Sequence, residues 1–251
     1  MQIVGLTGAI GHGKSSLLKA LQAIEPSSVA AESSELISHV ANDWLATIKQ
    51  PLDPTSVDSL NAGIQKLIAV LAADLGVDVQ PDSLLIKQAD IQTKSPNVAK
   101  LVEYWQLVQA NPSHMALPIG LANKDLHRPI LQWLGGFLVQ RVGTGVWYDH
   151  LVGSARAAAT KGAKLAIISG LRFTTDADVI KQTDGAVLQV LRPQLAEADL
   201  LDPTERDRAK IVADSLIVND GSLLQLGNLA RQLYSDLKSN RLESSYLASN
   251  Y

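Results

Sequence analysis

The stretch Gly8–Ser16, GAIGHGKSS, constrains this chain more than any other. It fits the phosphate-binding pattern G-x-x-x-x-G-K-[ST] with Gly8, Gly13, Lys14 and Ser15 in the fixed positions. Each fixed residue has a physical task. Gly8 and Gly13 permit backbone conformations that a side chain would block. Together with Gly11 they let main-chain N–H groups close around an anion as a nest. Lys14 is long enough to reach the β- and γ-phosphates, and the Ser15 hydroxyl is a magnesium ligand. The flanks supply the context the pattern needs. Gln2–Thr7 (QIVGLT) reads as a short buried strand, and Leu17, Leu18, Leu21 and Ile24 recur at helical spacing until Pro26. The helix points its positive end at the same anion. Gly8, Ala9, Gly11, His12, Gly13, Lys14, Ser15 and Ser16 are therefore the candidate residues for a nucleotide's phosphates, with Ser15 as the metal ligand. His12 is assigned no catalytic role.

The remaining strand signals recur late in the chain. Lys164–Ser169 (KLAIIS), Ala186–Leu191 (AVLQVL) and Ser215–Val218 (SLIV) are apolar and β-rich, with helices expected near Asp176–Thr183 and Leu223–Leu237. A further short strand is expected at Ser28–Ala31. Strands alternating with helices predict an α/β fold with a parallel sheet covered on both faces, and ligands at the carboxyl ends of its strands. From Ser33 to about Pro129 the pattern is helical and broken by six prolines. Leu60, Ile64, Leu67, Ile68 and Leu71 mark one apolar face; Val98, Leu101, Val102, Trp105 and Val108 mark another. The organisation expected is a nucleotide-binding core from 1–32 and 160–238, a mostly helical acceptor-binding region from 33–159, and a frayed tail at 239–251.

Composition narrows the classes. With 251 residues, 46% of them hydrophobic, the chain can bury a substantial core. A formal charge of −3 gives no reason to expect a general nucleic-acid or membrane binder. There are no cysteines, which excludes disulfides and thiolate metal sites. No apolar run is long enough to span a bilayer and no leader is apparent, so a cytoplasmic location is expected. No His/Asp/Glu spacing reads as a metal site of its own. Trp44, Trp105, Trp133 and Trp147 are expected in the core or at its rim rather than as base-stacking platforms.

Phosphoryl transfer needs positive charge around the migrating group. Arg172 and Arg192 each follow a predicted strand at its carboxyl end, where a guanidinium can point into the crevice. Arg128 and Arg141 flank a predicted helix in the middle region. Segment 194–208 is rich in charge and reads either as a solvated helical surface or as a lid carrying Arg206 or Arg208.

These residues carry a family resemblance. IVGLTGAIGHGKSSLL resembles the opening of nucleotide kinases and dephospho-coenzyme A kinases. AIISGLRFTTDADVI (166–180) with GAVLQVLRP (185–193) is similar to phage-type deoxynucleoside monophosphate kinases. So is RPILQWLGGFLVQRVGTGVWYDHLV (128–152), which resembles the R-x-x-L-Q-x-x-G segment, and so is DSLIVNDGSLLQL (214–226). The resemblance implies a P-loop kinase fold and ATP-dependent phosphorylation of a nucleoside monophosphate, most specifically a deoxynucleotide. ATP and Mg2+ would be bound, with a small-molecule acceptor as partner and a possible homodimer. It places Lys14 and Ser15 at the ATP phosphates and magnesium, Arg172 at the transferring phosphate, Arg128 and Arg141 near the acceptor, and Asn219 to Gly221 beside the adenine; Arg192, from its strand-end position, is expected to join Lys14 and Arg172 in stabilising the transferring group. The chain departs from the family at Gly170, where an acidic residue would support magnesium, and at Gly136. The T-D-A at 175–177 offers Asp176, with Asp178 as the alternative carboxylate. These departures keep two further readings open: a nucleotide-binding protein with little or no transfer, and a kinase of another small molecule such as dephospho-coenzyme A.

Overall fold

The computed structural model describes residues 1–115, 117–143, 145–195 and 203–251, with backbone only for residues 97 and 203–205. The chain divides into two compact units. The first unit, residues 1–33 and 148–251, begins with β1 (Gln2–Thr7), α1 (Lys14–Ile24) and β2 (Val29–Glu32). The second, residues 34–147, holds α2 (Ser33–Thr47, its first residue belonging to unit one), α3 (Val57–Leu75), α4 (Pro81–Leu84), α5 (Gln88–Gln92), α6 (Pro96–Ala110) and α7 (Arg128–Arg141). The chain then returns to the first unit with α8 (Tyr148–Thr160), β3 (Leu165–Leu171), α9 (Thr174–Lys181), β4 (Ala186–Leu191), α10 (Pro203–Arg208), β5 (Ser215–Val218), α11 (Leu223–Ser239) and β6 (Ser245–Leu247).

The parallel sheet flanked by helices that the strand pattern predicts is present. Its six strands run in the order β2-β3-β1-β4-β5-β6, every neighbouring pair parallel. Alternation along β1 divides the core. Val4 and Leu6 face α1 and α11, joining Leu17, Leu21, Leu229 and Leu233. The other face carries α9 so closely that a methyl at Gly5 would lie 2.9 Å from Leu171 and 3.1 Å from Ile180. The chain leaves β1 towards β2 and leaves β3 across β1 towards β4. Connections therefore diverge between the adjacent strands β1 and β3, and a crevice opens at their carboxyl ends.

The end of β3 is irregular. Leu6 pairs with Ser169 but Thr7 pairs with Leu171, so Gly170 is the extra residue of a bulge, and it takes a left-handed φ of 95°. The buried Thr7 hydroxyl closes the step by donating to the Leu171 carbonyl at 3.0 Å.

The tail is a correction. Residues 239–251 do not fray: Ser245–Leu247 adds a sixth strand beside β5, with Tyr246 fully buried and its hydroxyl donating to Asp236 at 2.9 Å. One buried aromatic and one buried carboxylate anchor the segment.

In the second unit the apolar stripes of α3 and α6 are buried at Leu60, Ile64, Leu67, Leu71, Val98, Leu101, Trp105 and Val108, with their flanking members Ile68 and Val102 half-buried. All four tryptophans are buried. Trp44 meets Trp105 edge-on and Trp133 stacks on Phe137. They are core residues and offer no platform for a base. Among the described residues no helix is long and apolar enough to cross a membrane.

Candidate functional site

The glycine loop leaves the carboxyl end of β1 and feeds directly into α1. Gly8, Gly11 and Gly13 all have positive φ (143°, 83° and 102°). At Gly8 and Gly13 close approach matters as well: a Cβ would stand 2.3 Å from the Val190 carbonyl oxygen in one case and 2.3 Å from Asn219 Nδ2 in the other. Neither neighbour is free to yield, because Val190 is central-strand backbone and Asn219 is itself committed. Asn219 Nδ2 donates to the His12 carbonyl at 3.1 Å, and Asn219 N–H to Leu191 at 2.7 Å. The loop between β5 and α11 is thereby fastened to the glycine loop.

Lys14 folds over the loop, its Nζ donating to the carbonyls of Gly8 (2.7 Å) and Ala9 (2.9 Å). The ammonium is held against the loop's own backbone. No side chain caps the start of α1, and its first turn carries no acidic residue. Ser15 is exposed in that turn, while His12 is buried and belongs to the loop's packing.

The carboxyl ends of β2 and β3 form the second half of the crevice. Glu32 ends β2, in register with Ser169. A side chain at Gly170 would begin 2.8 Å from the Ser33 hydroxyl and 3.6 Å from Glu32 Cγ. The spot where an acidic residue was expected is thus bordered by Glu32, a residue the sequence analysis passed over. The signal was a carboxylate closing an apolar strand, and the strand was too short to give its end reliably. Glu32 lies two strands from β1, about 10 Å at ordinary strand spacing.

Arg172 and Arg192 are both exposed, following β3 and β4 directly. Arg172 is oriented by Asp176, whose Oδ2 accepts from the backbone N–H groups of Arg172 and Phe173, each at 2.9 Å. Burial pushes the Asp176 carboxyl up to about 6, against the opposing pull of those two donors and the Arg172 charge. Burial also pushes Tyr148 well above the usual phenol range; its hydroxyl shares this pocket with Asp176, Ser33, Arg172 and Glu32. Asp176 therefore serves the backbone of α9. Asp178 is exposed on the same helix.

The shift in Asp176 carries a stability consequence. Its folded-state pKa lies above its ordinary value of 3.8, so the folded state binds the proton more tightly. Stability is lost as pH rises from about 4 to about 6, by up to about 3 kcal/mol from this group. Asp176→Asn retains an oxygen for both N–H donors and removes the titration. Denaturant unfolding of both proteins between pH 4 and 7 is expected to show their stability difference changing across that window in favour of the variant. A difference independent of pH contradicts this account of Asp176.

Arg128 and Arg141 open and close α7 in the second unit, 13 residues apart and so about 20 Å along the helix axis. Arg128 pairs with Asp125 at 2.9 Å on the surface. Arg141 lies over the Phe137 ring and donates to the Ser83 carbonyl at 3.4 Å. Arg206 is exposed on α10, and residues 196–202 of the expected lid lie outside the described residues. Gly136 has open space around it, so nothing in the packing requires glycine there. In the second unit, His39, Asp43 and Asp74 bring ligand atoms within 4.8 Å of one another. Spacing alone did not foresee this group, and its His39–Asp43 contact of 3.6 Å is an ordinary surface i,i+4 pair.

Fold and geometry define an α/β protein with an all-parallel sheet and a glycine loop at its topological switch point. No family model matches the chain, and no curated protein matches it.

Proposed function

We propose that the chain is a P-loop kinase that transfers the γ-phosphoryl group of ATP to a small acceptor, a nucleoside monophosphate and most specifically a deoxynucleotide. The observation that carries this reading is the position of Lys14: its ammonium is tied across the mouth of a glycine nest at the carboxyl end of β1. A helix whose first turn carries no acidic residue backs the nest; Arg172 follows the next strand of the sheet and Glu32 ends the one beyond it.

The roles follow from charge. Loop amides and Lys14 hold the β- and γ-phosphates. Arg172 and Arg192 lie at strand ends from which they can neutralise the transferring group. An acceptor phosphate oxygen attacks the γ-phosphorus as the bond to the bridging β-γ oxygen breaks, leaving ADP. A phosphate acceptor is already anionic, so no strong base is required. The exposed Ser15 hydroxyl and the Glu32 carboxylate are hard oxygen donors of the type Mg2+ takes, and they would hold it on the phosphates; the ion supplies charge neutralisation there. Gly170 belongs to this frame as a bulge residue whose backbone excludes side chains, with Glu32 as the carboxylate beside it.

The test is ADP formation from MgATP with each of the nucleoside and deoxynucleoside monophosphates and with dephospho-coenzyme A. Turnover with a deoxynucleoside monophosphate is expected. ATP bound tightly but no ADP with any acceptor overturns the transferase reading and leaves a nucleotide-binding protein.

A further inference from the structure

Ser33 stands between Glu32 and the bulge of β3. Its hydroxyl donates to the Gly170 carbonyl at 3.3 Å, long for a hydroxyl donor. Its oxygen can still accept from a further donor. Tyr148, the first residue of α8, supplies a candidate. It is only 3% exposed, and its hydroxyl completes no hydrogen bond with any described residue. Burial, reinforced by the Asp176 charge, holds this phenol well above its usual range, so it keeps its proton and remains a donor. Ser33 is close enough to oppose that shift, yet the bond between the two hydroxyls is not closed. The other neighbours are poorer partners for an O–H. Asp176 Oδ2 already accepts from two backbone N–H groups, and the Arg172 guanidinium can only donate. A buried hydroxyl without a partner costs stability, and a phenylalanine would fill the same space without that cost.

We propose that Tyr148 is a positioning residue for Glu32 and acts through Ser33: on loading of the site, the Tyr148 O–H closes onto Ser33 Oγ and the Ser33 bond to Gly170 shortens. The oxygen that is idle in the unloaded chain thus has its partner in the working one. The relay ties the start of α8 to the start of α2 and to the β3 bulge. It fixes the backbone at residue 32, and so the direction in which the Glu32 carboxylate is offered. The inference rests on the reading of Glu32 as the acid that holds Mg2+ on the phosphates. Tyr148 touches neither metal nor nucleotide, and its effect is carried by Glu32.

The test compares the full chain with Tyr148→Phe, Ser33→Ala and the double variant. Tyr148→Phe keeps the ring and removes one oxygen. Without nucleotide, its thermal midpoint is expected to equal the parent's or exceed it by about 1–3 °C. The Mg2+ concentration that half-saturates binding of a fluorescent ATP analogue is expected to rise about tenfold. With MgATP and the best acceptor, kcat is expected to fall about 10- to 100-fold, the usual cost of losing a hydrogen-bonded support behind a metal-ligating carboxylate. The KM for ATP at saturating Mg2+ stays within about threefold, since the glycine loop is untouched. Ser33→Ala breaks the same relay, so the double variant loses no more kcat than the more impaired single one. A Tyr148→Phe midpoint more than about 3 °C below the parent's shows the hydroxyl already paired in the unloaded chain and overturns the proposal. So does a Tyr148→Phe protein whose kcat and Mg2+ requirement stay within about twofold of the parent, or a double variant in which the two losses multiply. Glu32→Gln separates the two levels. If it is impaired and Tyr148→Phe is not, only the relay fails; if Glu32→Gln keeps the parent kcat, the reading of Glu32 fails and the relay with it.

Discussion

Lys14→Ala is expected to weaken MgATP binding by about 100- to 1,000-fold while the protein stays folded. The ammonium is part-buried and fixed by two short bonds to the Gly8 and Ala9 carbonyls, so it meets an arriving phosphate without first being ordered. A charge pair about 4 Å apart near a protein surface contributes about 4 kcal/mol, and each 1.4 kcal/mol is a factor of ten. Neighbouring amides and the α1 terminus retain part of the attraction, which sets the lower bound. The two carbonyls released sit on an open loop where water replaces the ammonium, so the thermal midpoint should fall by only a few degrees. Titration of a fluorescent ATP analogue, with unfolding followed in parallel, measures both quantities. Affinity within threefold of the parent would remove Gly8–Ser16 from the binding site.

Much of this loop was legible because its code is local. Three glycines, a lysine and a serine at fixed offsets, between an apolar run and an amphipathic one, leave few conformations to choose from. The strand at 165–171 was legible for a related reason: a strand buried on both faces is apolar for most of its length. The misses share a different physics. β6 has a single inward residue, Tyr246, and exists because a buried aspartate 10 residues earlier accepts its hydroxyl. Neither partner announces the other in sequence. Gly170 invited the wrong question, because a family pattern asks which side chain is missing. The register shift between β1 and β3 asks which backbone is required.

The decisive variant pair is therefore Glu32→Gln and Gly170→Asp. Glu32→Gln keeps the size and polarity of the side chain and removes its charge at the end of β2. If Glu32 is the acid that supports the metal-bound phosphates, turnover should fall about 1,000-fold, on the scale of losing one electrostatic contact to the transition state. ATP affinity should stay within a few fold, because the loop and Lys14 are untouched. Gly170→Asp tests the rival view, in which the missing acid belongs at 170 and its return restores function. At a φ of 95° an aspartate is strained by about 1–3 kcal/mol, and its Cβ starts 2.8 Å from the Ser33 hydroxyl. The variant is expected to be less stable and no more active, alone or combined with Glu32→Gln. Steady-state kinetics with the best acceptor and denaturant unfolding of the three variants separate the two views. A Glu32→Gln protein that keeps more than a tenth of the parent kcat, or a Gly170→Asp substitution that rescues it, places the acid elsewhere. The bulge at β3 would then be the accident and not the reason that glycine stands there.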